Sequence, residues 1–328
     1  MSGGKPALWG RIKPDWYLIL IISAGALASV LPARGDVADG LGLATKIAIA
    51  MVFFLHGARL PREAVLAGLT HWRLHLTIFA ATFVLFPALT LGFTFLPAWI
   101  SPPELAAGLI LLGCLPSTIQ SSIAFVSVAR GNVPAAVAAA SASNLVGVFL
   151  TPALVGVLMH AEGAISPGAF WSIMIQLLLP FVAGQVLRPW IGATVARHGA
   201  LLGKLDRGTI ILIVYVAFSS AVVDGVWSRL SGLDLVRLLA ICVVLLAAVL
   251  ALTTLAARRL GFDTADEIAI VFCGSKKSLA SGAPIAAALF APAVAGVAMI
   301  PLMVFHQLQL MVCAALAQRY ARRPDTAS

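Results

Sequence analysis

Apolar runs of about 20 residues, each closed by a short polar or basic stretch, recur from end to end of this sequence. Runs of that length match helices that cross a bilayer, whereas the strands of a membrane barrel alternate apolar and polar positions over about 10 residues. The pattern therefore predicts helices. Ten spans can be marked, over 15–31, 37–58, 74–97, 104–129, 133–159, 168–190, 208–227, 234–257, 265–290 and 293–318. The fourth is interrupted at Pro116 and the ninth near Gly274. Connections are short, so one all-α transmembrane domain is expected over 1–321, with 322–328 as a disordered cytoplasmic tail.

The two interruptions carry the unusual residues. Cys114-Leu115-Pro116-Ser117-Thr118-Ile119-Gln120-Ser121-Ser122 and Cys273-Gly274-Ser275-Lys276-Lys277-Ser278-Leu279-Ala280-Ser281-Gly282 share an order of cysteine, helix breaker and hydroxyls, and Pro284 follows the second. Pro116, Gly274, Gly282 and Pro284 are the expected helix-breaking positions. Setting Cys114 against Cys273 aligns Ser117 and Thr118 with Lys276 and Lys277, and Ser122 with Ser281. Each interruption falls in the fourth span of a five-span half, so 14–160 and 167–321 read as repeats, and an odd number of spans inverts the second copy. A break frees carbonyls and amides that lipid cannot satisfy, so it survives only where it lines a cavity or packs on protein. Half-helix N-termini favour anions and C-termini favour cations, so two broken helices that cross make a polar site of both signs. A tolerated proline kink is the simpler reading of either break alone. Two breaks at matching positions, both rich in hydroxyls, favour the site.

Composition confirms the membrane setting and removes other classes. Of 328 residues, 61% are hydrophobic and 11% charged, too little polar surface to cover a soluble globule. The net charge of +9 would suggest nucleic acid in a soluble chain, but here the basic residues sit in loops. With the N-terminus in the cytoplasm, sixteen Lys and Arg fall on that side against Arg34, Arg229 and Arg237 outside. Both termini are then cytoplasmic, in a multi-pass protein of the cell (inner) membrane. The N-terminal stretch resembles a signal peptide in outline, but further spans follow at once and it reads as an uncleaved first helix. Cys114, Cys242, Cys273 and Cys313 all lie inside spans, without the spacing of a disulfide framework or zinc site.

Candidate chemistry gathers at the breaks. Ser117, Thr118, Gln120, Ser121 and Ser122 exceed what helix-to-helix hydrogen bonding needs, and Ser141 and Asn144 share a face of the next span. Thr82 reads as an ordinary helix hydroxyl that bonds back to its own backbone. Ser275, Ser278 and Ser281 flank the lysines, and His306, Gln307 and Gln309 form a last polar group, read equally as site residues or as interfacial ones. A lysine near a bilayer centre costs about 3 kcal/mol on insertion scales, so Lys276 and Lys277 need protein or water around them. Adjacent residues on a helix face about 100° apart, so at most one of the two is expected to be central. All thirteen acidic residues lie at span ends or in loops, which leaves no carboxylate in the middle of a span to hold sodium or a proton.

The segments Phe53-Phe54-Leu55-His56-Gly57, His71-Trp72-Arg73-Leu74-His75-Leu76, Gly113 to Thr118, Arg130-Gly131-Asn132, Cys273 to Gly282 and Phe305-His306-Gln307-Leu308-Gln309-Leu310 together resemble the bile acid:sodium symporter family in its SBF-like branch. The resemblance covers nearly the whole chain. It implies ten helices in two inverted repeats, with the fourth and ninth broken and crossing in a core domain that moves against a panel domain, as in the cation/proton antiporters. It also implies sodium ligands, which carry over to Ser121, Ser122, Ser141 and Asn144. The ninth-helix ligands are not kept: the glutamate position falls near Ser275, the glutamine position near Leu279, and two lysines lie between.

These readings converge on a secondary transporter of a small organic anion working by alternating access, in which an intramembrane lysine takes the place of a coupling cation. A sodium-coupled bile-acid-like symporter and a non-transporting regulatory membrane protein are the alternatives. No catalytic constellation, metal motif or phosphate loop suggests an enzyme. No cofactor is implied, the coupling ion is left between sodium and a proton, and the expected partners are the anion and the lipid bilayer, without nucleic acid.

Overall fold

The computed structural model describes residues 16–59, 71–160, 167–225 and 230–323. The basic residues Lys5, Arg11 and Lys13, and 324–328 of the expected tail, lie outside the described residues. Among the described residues all regular structure is helical, and helix falls on the apolar runs because a backbone in lipid must satisfy its own hydrogen bonds. The helices are α1 (Trp16–Val30), α2 (Gly35–Arg59), α3 (Trp72–Thr94), α4 (Ala106–Cys114), α5 (Gln120–Val128), α6 (Val133–His160), α7 (Pro167–Arg197), α8 (Gly199–Val223), α9 (Gly232–Arg259), α10 (Thr264–Gly274), α11 (Leu279–Leu289) and α12 (Pro292–Ala321). Six of these, α2, α3, α6, α8, α9 and α12, are long and apolar enough to cross a membrane. The chain is an all-α membrane protein.

Helix-to-helix contacts position the interior. α2 lies along α7, and α1 and α2 both pack on α8. α4 is held between α3, α6 and α12, while α10 packs against α3, α5, α6 and α9. α2 and α7 meet backbone to backbone: a Cβ on Gly57 would overlap the carbonyl oxygen of Phe181, and a Cβ on Gly184 that of Phe54. Small residues permit such an approach in lipid, where helix association rests on packing rather than on water exclusion.

The start of α10 is fixed by polar contacts. Asp263 caps it, accepting from the Asp266 amide at 2.7 Å. Asp266 accepts from Asn132 Nδ2 at 2.8 Å, and the Asn132 amide donates to the Ala265 carbonyl at 3.0 Å. Glu267 takes two hydrogen bonds from Arg258, at 2.9 and 3.1 Å, and one from the Tyr320 hydroxyl at 2.7 Å. Both carboxylates are buried, yet each sits in the first turn of its helix and has named donors. The ends of α6, α9, α10 and α12 are thereby tied together, and the break that follows α10 inherits a fixed origin.

Because Gly57 sits against backbone rather than a movable side chain, Gly57→Leu is expected to cost about 1–3 kcal/mol or more by overpacking. Thermal unfolding in detergent measures it; a midpoint unchanged from wild type would show that α2 and α7 can separate at no cost.

Candidate functional site

α4 stops at Cys114 because Leu115 turns extended (φ −69°, ψ 152°) and Pro116 has no N–H to continue the ladder. Five successive carbonyls, from Gly113 to Ser117, then need donors from elsewhere, and each has one. Lys277 Nζ donates to Gly113 and Leu115 at 2.7 Å each, and Thr151 Oγ1 donates to Cys114 at 2.7 Å. The Ser278 amide donates to Pro116 at 3.0 Å, and Asn144 Nδ2 to Ser117 at 2.7 Å.

The second break answers the first. α10 ends at Gly274, and α11 starts at Leu279 with Ser278 as its cap, accepting from the Ser281 amide at 3.2 Å. The closing carbonyls of α10 receive hydroxyls from the first break: Ser117 Oγ donates to Cys273 at 2.6 Å and Ser122 Oγ to Phe272 at 3.2 Å. Gln309 of α12 clamps the Lys277 peptide on both sides, accepting from its amide at 2.9 Å and donating to its carbonyl at 2.9 Å. His306 Nδ1 lies 2.9 Å from Gln309 Nε2 and 3.3 Å from the same carbonyl. Each break thus supplies the groups that the other lacks.

Lys277 completes its set with the Thr82 carbonyl, also at 2.7 Å. That carbonyl belongs to a π-helical turn, Ala81–Leu85, inside α3. Widening the ladder by one residue leaves a carbonyl without its usual α-helical partner, and such turns mark functional places in helices. α3 comes this near α4 because Gly113 has no side chain: a Cβ there would overlap Thr90 Oγ1. The Phe86 ring closes the pocket, with its centroid 4.1 Å from Nζ. Three hydrogen bonds to a charged donor contribute about 1.5–3 kcal/mol each, which offsets a desolvation cost of several kcal/mol. The C-terminal dipole of α4 adds in the same direction.

Lys276 is surrounded differently. It too is wholly buried, but its Nζ has no hydrogen-bond partner among the described residues and faces the Phe125 ring 3.8 Å from the centroid. The expectation of one central lysine assumed helical geometry. Residues 275–278 are not helical, so the 100° rule does not apply, and both side chains turn inward to separate pockets.

The remaining expected residues divide. Thr118 Oγ1 lies 2.6 Å from Ser121 Oγ and 2.9 Å from Ser122 Oγ, and Ser117 Oγ is 3.4 Å from Ser122 Oγ. Ser281 Oγ donates to Asn144 Oδ1 at 2.9 Å and lies 3.1 Å from Ser278 Oγ. Ser275 is buried in the second break, Gln120 is exposed at the start of α5, and His306 is half-buried. Ser141 is half-buried and none of these hydrogen bonds involves it; its neighbour Ser143, fully buried, accepts from the Ser117 amide at 3.1 Å. Of the helix-breaking positions, Pro116 lies in the first break and Gly274 ends α10, whereas Gly282 and Pro284 lie inside α11. Gly282 acts in packing instead, since a Cβ there would come within 2.6 Å of Leu115.

As a sodium site the carried-over set fits poorly. Asn144 already accepts from Ser281, Ser121 and Ser122 are bonded to Thr118, and Ser141 takes no part in the cluster. Thr151, Ser143, the Thr82 carbonyl, Phe86 and Phe125 were not among the sequence candidates. A hydroxyl two helical turns beyond Asn144, on the same face, could have pointed to Thr151. The carbonyl of Thr82 has no sequence signal, because the π turn is set by packing.

Comparison with known proteins is consistent along the whole length. A model of the SBF-like CPA transporter family matches residues 15–322. The chain is 55% identical over 323 residues to protein PA2026 of Pseudomonas aeruginosa, covering 97% of this chain and 96% of the relative. It is 50% identical over 316 residues to the "Putative symporter YfeH" of Escherichia coli, covering 95% and 94%. Sodium/bile acid cotransporter 7 of Mus musculus is 30% identical over 317 residues, covering 92% and 91%.

The two lysines should respond in opposite ways to removal of their charge. Lys277→Met leaves three buried carbonyls without donors and is expected to cost about 3 kcal/mol or more, while Lys276→Met removes an unpaired amine and is expected to be neutral or stabilising. Unfolding midpoints in detergent decide this, and equal losses in both variants would contradict the contrast.

Proposed function

Because the chain belongs to the SBF-like CPA transporter family, we propose that it is a secondary transporter that carries a small organic anion across the membrane by alternating access, with Lys277 standing where a coupling cation would stand. The observation that carries this reading is the Lys277 ammonium, held by three carbonyl oxygens at the end of a broken helix. Such oxygen ligands at a half-helix C-terminus suit a metal cation equally well. A tethered ammonium fills the place permanently.

In this reading α4 with α5, and α10 with α11, are each one interrupted span of a ten-span protein. Two inverted halves, 14–160 and 167–321, form a single transmembrane domain in the inner membrane with both termini cytoplasmic. α1, α2, α7 and α8 serve as the panel, and the two breaks belong to the core that moves against it. The anion site lies where α5 and α11 begin, since helix N-termini favour negative charge. Gln120, Ser121, Asn144, Ser281 and His306 are the polar side chains there that are not wholly buried.

Relatives named for sodium and bile acid make a sodium-coupled symporter the second reading. A screen of bile acids and smaller carboxylates by thermal shift tests both, because a ligand at about 100 times its Kd stabilises by about 2.7 kcal/mol. Uptake of the stabilising anion into proteoliposomes is expected without a sodium gradient, and is expected to fall at least about tenfold in the folded fraction of Lys277→Ala, a loss of about 1.4 kcal/mol in barrier terms. Full uptake by Lys277→Ala would exclude the lysine's role. Strict dependence on sodium would favour the second reading.

A further inference from the structure

Adjacent and equally buried, Lys276 and Lys277 are provided for in opposite ways. An ammonium has three N–H donors and no acceptor, and Lys277 has three carbonyl oxygens to receive them, a match that a neutral amine with two hydrogens does not make. Lys276 Nζ has none, only the face of Phe125. The ionisable groups beside it are the thiols of Cys273 on α10 and Cys313 on α12, with no carboxylate among them, and α5 presents Phe125. One aromatic face returns much less than an unpaired buried ammonium costs.

We propose that Lys276 is the proton carrier of the transport cycle: a neutral amine while the two breaks are closed on each other, and an ammonium that pairs with the anionic group of the substrate once they part. This rests on the transport reading above and names the coupling partner for it. In the step, the amine lone pair takes a proton from water on the open side, and the new N–H bond donates to a carboxylate oxygen of the arriving anion. On the other side the anion leaves, the proton returns to water and the amine is restored. One proton and one negative charge cross together, so the carried unit is an organic monoanion with its neutralising proton. Geometry provides the route. Phe125 lies one turn beyond Ser121 on α5, so moving α5 away from the second break uncovers Lys276 on the side where Gln120 is exposed and Ser121 half-buried.

The protonation states can be read without any substrate. Protein labelled with 13C at lysine Cε and 15N at Nζ, held in lipid nanodiscs, is followed by NMR as pH is varied on either side of neutrality, and the Lys276 signal is the one lost in Lys276→Met. A neutral-amine signal at pH 7 that converts to ammonium on acidification is expected for Lys276, with the other buried lysine remaining ammonium. An ammonium signal for Lys276 at pH 7 overturns the proposal. Melting temperature gives a second reading: the unfolded chain takes up this proton near the ordinary lysine value of about 10.4, so wild type should lose stability relative to Lys276→Met as pH falls from there, and the difference should level off once the folded-state titration of Lys276 is complete. Parallel profiles overturn it as well. An amine signal in a protein that moves no anion would leave the buried switch and remove the transport reading. An ammonium signal in a protein that does move anions would remove the role of Lys276 and leave that of Lys277.

Discussion

Backbone carbonyls that neither water nor lipid can reach must find donors inside the protein, and the Gly113 to Ser117 segment places five of them in a row. Much of the interior follows from that requirement. Thr151 and Asn144 face inward from α6, Ser278 lends an amide, and a lysine enters a region otherwise built from leucine, phenylalanine and alanine. A lysine suits this place because one atom carries three donors, and the bend of α4 and the π turn of α3 present three acceptors to it. A hydroxyl in its position would satisfy one carbonyl and leave two.

The two breaks solve the same problem with different chemistry. At the end of α10, Ser117 and Ser122 supply neutral donors; at the end of α4, Lys277 supplies a charged one. Sequence alignment of the halves had paired Ser117 with Lys276. By role, its counterpart is Lys277, since these two side chains reach across to the opposite helix end. The bonds between the breaks are short and numerous, so parting them is the costly step of any motion there.

How much of this was legible beforehand depends on the kind of signal. Helix positions were readable from run length, because lipid imposes the same demand on every residue of a span. The breaks were readable from Pro116, Gly274 and the clustered hydroxyls, and most of their polar residues do meet. What could not be read was direction. Ser143 rather than Ser141 serves the first break, because the Ser117 amide approaches α6 from an angle that no helical wheel specifies. Gly282 and Pro284 looked like parts of the break but lie in α11, where proline tolerance and close packing explain them. The opposite fates of Lys276 and Lys277 were hidden because the chain between α10 and α11 leaves the helix, and with it the periodicity on which a face assignment depends.

The three acceptors of Lys277 belong to α3 and α4, which leave the ribosome long before residue 277 is made. Until then, the Gly113 and Leu115 carbonyls have no protein donor in their final form. The first half of the chain therefore waits in the membrane in an incomplete state, open enough for water or the insertion machinery to serve those groups. A single late side chain, followed by the helices that hold it, displaces that provisional solvation.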